Sequence, residues 1–319
     1  MEGTLVRCRL PLLHAAPLAL LGALALLGAT RAQAQRTHVM VVAGLSGDAV
    51  FKTRFGTAVA AVRATATTRW GVAEADLVVL TEDSAAYNGR STRENIGAAF
   101  MALGKRAEAG DVVLVLLVGH GSGEGASSKV NLPGPDATAA EYAAWIAPLS
   151  KQQVVFVNTA AGSGDFVAAL SAPGRVVVTA TRSAVEKNDA EFLQHFTRAL
   201  TTDDADVNKD GRLSVLEAFR FARAEVIKSY EASNRMLTEH AVLSDSVTAG
   251  RVAFGRTATT ADPRIAALIA ERQALESQVA ALRARKSGMD RAAYEAELET
   301  LLIAIAEKTA AIKAAGGSR

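Results

Sequence analysis

The chain of 319 residues carries a single cysteine, Cys8, and only 7 prolines. Aromatic side chains make up 5% of it, so its core must be built mainly from aliphatic groups. Neither sign of charge is in excess, since 35 basic residues face 33 acidic ones. That balance gives no support to a nucleic-acid or polyanion binder, which carries a clustered basic surplus. What is present is ordinary globular composition, 50% apolar and 21% charged, which argues against wholesale disorder. At roughly 100–200 residues per domain, the length predicts one or two domains.

Long apolar runs are equally scarce. The one such run extends from about Leu10 to Ala29, broken by His14 and Pro17. Arg7 and Arg9 precede it and Ala32-Gln33-Ala34 follows. A charged start, a short apolar stretch and an A-x-A site are the parts of a secretory signal peptide, with cleavage expected after Ala34. An uncleaved membrane anchor is the alternative, for which the stretch is short. Residues 1–34 contain Cys8 together with Glu2, Arg7, Arg9 and Arg31. Their removal leaves acids and bases equal in number and no cysteine. The exported chain, periplasmic or secreted, would then lack any disulfide, thiolate metal ligand or cysteine nucleophile.

Short Val-rich runs then alternate with helical patterns. The runs are Val39-Met40-Val41-Val42, Leu77-Val78-Val79-Leu80, Val112 to Val118, Val154-Val155-Phe156-Val157 and Val176-Val177-Val178-Thr179. Runs so continuously apolar suit parallel strands covered on both faces. Between them, Ser91-Thr92-Arg93-Glu94 opens a helix with a serine N-cap and a glutamate three residues on. Residues 138–149 and 165–171 give two further helices. The alternation predicts an α/β fold, a three-layer sandwich with a mainly parallel sheet over residues 36–190. Its chemistry would lie beyond the carboxyl ends of the strands. Residues 189–200 and 214–232 read as two helices around an acidic loop, within a segment 191–258 that completes the body. In residues 262–313, Leu268, Leu275 and Leu282 recur every seven, and Tyr294, Leu298, Leu301, Ile305 and Ile312 form a second stripe. This predicts a helical hairpin or short coiled coil, packed on the body, on another copy or on a protein partner.

Residues 206–217 read Asp-Val-Asn-Lys-Asp-Gly-Arg-Leu-Ser-Val-Leu-Glu, the spacing of an EF-hand calcium loop. Oxygen ligands would come from Asp206, Asn208 and Asp210, from the Arg212 carbonyl, from Ser214 through water and from Glu217 in bidentate fashion. Gly211 permits the turn and Leu213 packs inward. Ca²⁺ takes six to eight oxygens, which this one loop supplies. With no second copy, the expected affinity is modest, on the order of 10⁻⁴–10⁻³ M. Such a site is structural or weakly regulatory, with pairing across a homodimer as an alternative; the same residues would also suit a merely acidic, solvated loop.

The third strand run leads into Gly119-His120-Gly121-Ser122, and the fourth into Asn158-Thr159-Ala160-Ala161-Gly162-Ser163-Gly164. A His-Gly after one buried strand and a small-residue loop after the next resembles the caspase-like (clan CD) cysteine peptidases, and most of all their legumain-like branch. The resemblance covers roughly residues 37–200. It implies that His120 stands where the family's base stands and Ala160 where its cysteine stands. Alanine offers no nucleophilic atom, so thiolate chemistry cannot run here as in the family. The resemblance therefore implies a pseudo-peptidase, with His120 a vestigial base, a turn-stabilising group or part of a small-ligand cleft. The enzymatic alternative is a hydrolase using the hydroxyl of Ser163 or Thr159, with His120 as base. A third reading is an interaction protein whose working surface is the helical tail.

Lesser features complete the reading. Asn131 to Asp136 is a Pro/Gly loop that turn chemistry explains. Gly44 to Asp48 lacks the full glycine fingerprint of a phosphate turn. Thr238, Glu239, His240 and Asp245 suggest a capped turn or a second polar site, and His195 a surface or boundary position.

Overall fold

The structure is a computed structural model that describes residues 35–83, 87–124, 127–207, 212–254 and 263–316. The expected signal peptide, residues 1–34, and loop residues Asn208 to Gly211 lie outside the described residues. Each of the five Val-rich runs is a strand: β1 (Thr37–Ala43), β2 (Leu77–Thr81), β4 (Val112–Val118), β8 (Gln153–Asn158) and β9 (Arg175–Thr179). Two short edge strands, β3 (Gly89–Arg90) and β11 (Val242–Leu243), complete a seven-stranded sheet of order β11-β9-β8-β4-β1-β2-β3. Every pairing in it is parallel except the edge pair β11–β9. The predicted mainly parallel α/β sandwich is therefore the observed one. All seven residues of β4 are buried, as a central strand covered on both faces requires.

The alternation of side chains along the strands divides the core in two. Val39, Val41, Leu114, Leu116, Val155 and Val157 face one layer of helices: α1 (Ala49–Thr68), α5 (Phe192–Thr201) and α6 (Val215–Ala232). Met40, Val42, Val113, Val115, Val154 and Phe156 face the other: α2 (Arg93–Arg106), α3 (Ala139–Ile146) and α4 (Asp165–Leu170). A small sheet of β5 (Gly121–Glu124), β6 (Ser127–Val130) and β7 (Ala137–Thr138) folds over the carboxyl end of β4. The predicted loop from Asn131 to Asp136 joins β6 to β7, with the Asp136 carboxylate accepting the Leu132 N–H at 3.1 Å.

Two local expectations differ. Helix α2 is capped by Thr92, whose hydroxyl accepts the Asn95 N–H, and not by Ser91. The Ser91 hydroxyl instead donates to the Ala43 carbonyl at 2.6 Å, tying the helix entrance to the end of β1. Helix α1 has no counterpart among the predicted helices. Its apolar face is made of Ala58, Val59, Val62, Thr65 and Ala66 beside Phe55, small residues that dilute the helical pattern.

After the sheet, α5 and α6 are the two helices expected around the acidic loop, here packed against one another, and α7 (Ser246–Arg251) is capped by Asp245. Strand β10 (Leu213–Ser214) pairs antiparallel with β12 (Ala253–Phe254). Helices α8 (Pro263–Arg285) and α9 (Arg291–Gly316) form the predicted hairpin. It has its own apolar cluster of Val279, Leu282, Tyr294 and Leu301, separate from the two clusters of the body. Among the described residues no helix is long and apolar enough to cross a membrane.

Candidate functional site

In the sheet β1 is followed in sequence by β2 on one side, while β4 lies on its other side. The chain thus reverses direction across the sheet between β1 and β4. The crevice outside the carboxyl ends of such strands is where open α/β sheets bind ligands. Three loops meet there: Gly44 to Asp48 after β1, Gly119 to Gly121 after β4 and Thr159 to Gly164 after β8. The last two are neighbours because Leu117 pairs with Asn158. A side chain at position 121 would place its Cβ 2.3 Å from the Ala161 carbonyl oxygen. Glycine is what lets these two loops approach.

His120 stands in this crevice, held on every side. Its Nε2 lies 3.2 Å from the Ser46 carbonyl, an acceptor only, so Nε2 carries the proton. Nδ1 faces the Asp189 carboxylate at 3.9 Å. Phe51 and Phe55 from α1 set their rings edge-on to the imidazole, with centroids at 4.4 and 5.2 Å. The cleft they share with Thr159 and Ala161 has a volume near 10 Å³, about the space of one water. Nothing in the sequence marks Phe51, Phe55 and Asp189 as neighbours of His120. Only Ser46, just past the first strand run, is hinted at by its position.

The residues around position 160 are equally committed. Ala160 is buried and its N–H donates to Asn158 Oδ1 at 3.0 Å. The Asn158 amide nitrogen is buried with no hydrogen-bond partner among the described residues. The Thr159 hydroxyl donates to the Leu117 carbonyl at 2.7 Å. Ser163 is buried, its hydroxyl 3.2 Å from that of Thr181, and its N–H also donates to Thr181 Oγ1. Thr159 thus shares the cleft with His120 while its proton is used elsewhere, and Ser163 belongs to the Thr181 network.

At the turn after β1, the Asp48 carboxylate accepts the N–H groups of Val50 and Phe51. It occupies the helix N-terminus at which a phosphate turn would hold its anion. The segment around Glu239 is also a cap. Its carboxylate, 4% exposed, accepts the N–H groups of Glu191 and Phe192 at 2.7 and 2.8 Å, closing the start of α5. Burial pushes the Glu239 carboxyl up to about 7, partly opposed by those two hydrogen bonds. His240 pairs with Glu186 at 2.8 Å. His195, on α5, is half-buried, and desolvation lowers its pKa against the pull of Glu191 and Glu225.

The residues of the expected calcium loop frame the turn from α5 to α6. Asp206 is buried. Ser214 is the N-cap of α6, with Glu217 three residues on. The Glu217 carboxylate accepts the Ser214 N–H at 3.0 Å and hydroxyl at 2.7 Å, a reciprocal capping box. Leu213 packs into the body's core, as the loop pattern expects. The ladder position beside it is taken within the chain by Phe254, whose ring stacks on Trp70 at 5.0 Å. Arg69 secures the same corner through the Thr201 carbonyl and Asp203. Arg212 and Ser214 lie on the exit side of the loop, Asp206 on the entry side, and Asn208 and Asp210 fall in the span not described. Among the described residues no cluster of three metal-ligating side chains is found.

No family model matches the chain, and no curated protein matches it. Among solved structures it is similar to drICE, at 10% identity over 67% of this chain and 88% of that one, with a TM-score of 0.39. It is similar also to the Drosophila initiator caspase Dronc, at 10% identity over 65% and 78%, with a TM-score of 0.38. A protein from Geobacter sulfurreducens gives 12% identity over 65% and 92%, with a TM-score of 0.42. At such scores the fold rests on the order and register of the sheet itself.

Proposed function

We propose that the chain is an exported Ca²⁺-binding protein on a caspase-like, legumain-related sandwich, working by binding or scaffolding and not by peptide cleavage. The observation that carries the calcium reading is the junction of α5 and α6. There a loop with oxygen-bearing residues at the EF-hand spacing ends in a helix whose N-cap is Ser214 and whose third residue is Glu217. Two of the proposed donors are among the described residues, the buried Asp206 and the half-buried Glu217, on either side of the turn. Asn208, Asp210 and the Arg212 carbonyl would complete the shell. A bound Ca²⁺ would supply charge that fixes the loop. The chain's own residues do the rest: Leu213 and Val215 anchor the exit strand and helix in the core, and Phe254 on Trp70 holds the far side.

The silent-peptidase part has separate support. Position 160 is a methyl group, and the nearby hydroxyls of Thr159 and Ser163 are hydrogen-bonded to Leu117 and Thr181. A hydroxyl nucleophile needs a base within hydrogen-bond reach, and both nitrogens of His120 face other groups. The export part is supported by the signal-peptide pattern of residues 1–34, since calcium outside the cell reaches the level a weak site needs.

Calorimetric titration of the purified chain with CaCl₂ tests the calcium reading. It predicts one site at about 10⁻⁴–10⁻³ M, lost in Asp206→Asn. No saturable heat in the wild type would overturn it.

A further inference from the structure

The exit from the proposed calcium loop is a strand that is already paired. Leu213 and Ser214 of β10 lie opposite Phe254 and Ala253 of β12. The Val215 N–H donates to the Val252 carbonyl at 3.0 Å. In an antiparallel ladder, residues two apart turn their hydrogen-bonding groups to the same side, so those of Leu213 face β12 as well. The edge along which a second loop would pair is occupied by the chain itself.

Phe254 fixes that strand. It is 1% exposed, and its ring stacks on Trp70 at 5.0 Å with the planes 27° apart. Trp70 directly follows Arg69, whose guanidinium donates to the Thr201 carbonyl at 2.8 Å and pairs with Asp203. The end of α1 thus holds both sides of the loop, the entry through Arg69 and the exit through Trp70 and Phe254. Asp206, Arg212 and Leu213 meet Trp70 and Phe254 around a cavity of about 50 Å³.

A loop held near its bound shape gives up less conformational freedom when it takes an ion. We propose that β12 is the fixed partner strand of the calcium loop, positioned by the stack of Phe254 on Trp70, so that one chain binds its ion as a monomer. The proposal rests on the calcium reading above and removes from it pairing across a homodimer. Phe254 carries no donor for the ion. It is a positioning residue, acting through Leu213 and the Arg212 carbonyl beside it.

The test combines calorimetric titration with CaCl₂, sedimentation in EDTA and in 10 mM CaCl₂, and amide exchange in EDTA. The wild type should take one ion per chain and sediment as a monomer in both buffers. The Val215 N–H should be protected from exchange before any calcium is added. Phe254→Ala should weaken binding about tenfold, and Phe254→Leu, which keeps an apolar plug under the ladder, should recover most of that loss. Phe166→Ala opens a similar cavity in the other layer of the core and should leave the affinity unchanged. Calcium-driven dimerisation, protection of Val215 only after calcium is added, or equal affinities for folded Phe254→Ala and Phe166→Ala would overturn the proposal and leave the calcium reading standing. No saturable heat in the wild type would overturn both. Sedimentation and exchange use the wild type alone and decide the matter should Phe254→Ala not fold.

Discussion

Two buried carboxylates, Glu239 and Asp111, are held away from their ordinary pKa in opposite directions. Glu239 is raised to about 7 by burial, against about 4.5 when unfolded. The native state therefore holds its proton while the unfolded chain has released it. Stability from this group is fully present below about pH 4.5 and is lost as pH rises toward 7, by about 3 kcal/mol in all. Glu239→Gln keeps an acceptor for the start of α5 and should flatten this fall, read as the difference between urea midpoints from pH 4.5 to 8. Asp111 behaves in the opposite sense. Burial would raise it, but hydrogen bonds from His38 at 3.0 Å and from the N–H groups of Arg36 and Glu108 outweigh that and hold it below its ordinary value. Its contribution is present above about pH 4 and lost as pH falls further. Asp111→Asn should therefore lose about 2–4 kcal/mol at neutral pH and show a shallower acid limb. One histidine at a strand start carries no pattern in sequence, so His38 is not legible there. Only the sheet brings Asp76 and Asp111 to its two sides.

At the scale of elements, strands were the most legible part. Continuous Val and Leu runs have one stable fate in a sheet covered on both faces, and all five stand within a residue or two of their expected ends. Pairs such as β3 and β11, two residues long, have no periodicity to read. Helix α1 was hidden by its small apolar residues, although Asp48 before it was an available N-cap signal. Gly56→Ala should stabilise α1 by about 0.5–1 kcal/mol in denaturant unfolding, because its Cβ enters open space. At the entrance of α2, Thr92→Ala should cost about 1 kcal/mol as a lost cap. Ser91→Ala should also destabilise, through the orphaned link to Ala43, while leaving the cap of α2 intact.

Across the whole molecule, the sheet's order carries the site. The neighbourhood of His120 and the loop after β8 was legible, because a strand run led into each. Why His120 is enclosed was not, since Phe51, Phe55 and Asp189 come from helices and loops distant in sequence. The proposed calcium loop is legible as a motif because its candidate ligands are close together in the chain. Its anchoring was not: Phe254 and Trp70 lie far from it in sequence. Since α5 and α6 both belong to the core, an ion between them must be felt as global stability. The most direct measurement is thermal unfolding in EDTA and in 10 mM CaCl₂, for the wild type and Glu217→Gln. Glutamine at that position keeps the capping box with Ser214 but removes the bidentate carboxylate. The account predicts that calcium raises the wild-type midpoint by about 3–10 °C and leaves the variant unmoved. An unmoved wild type, or an equal rise in the variant, would contradict it.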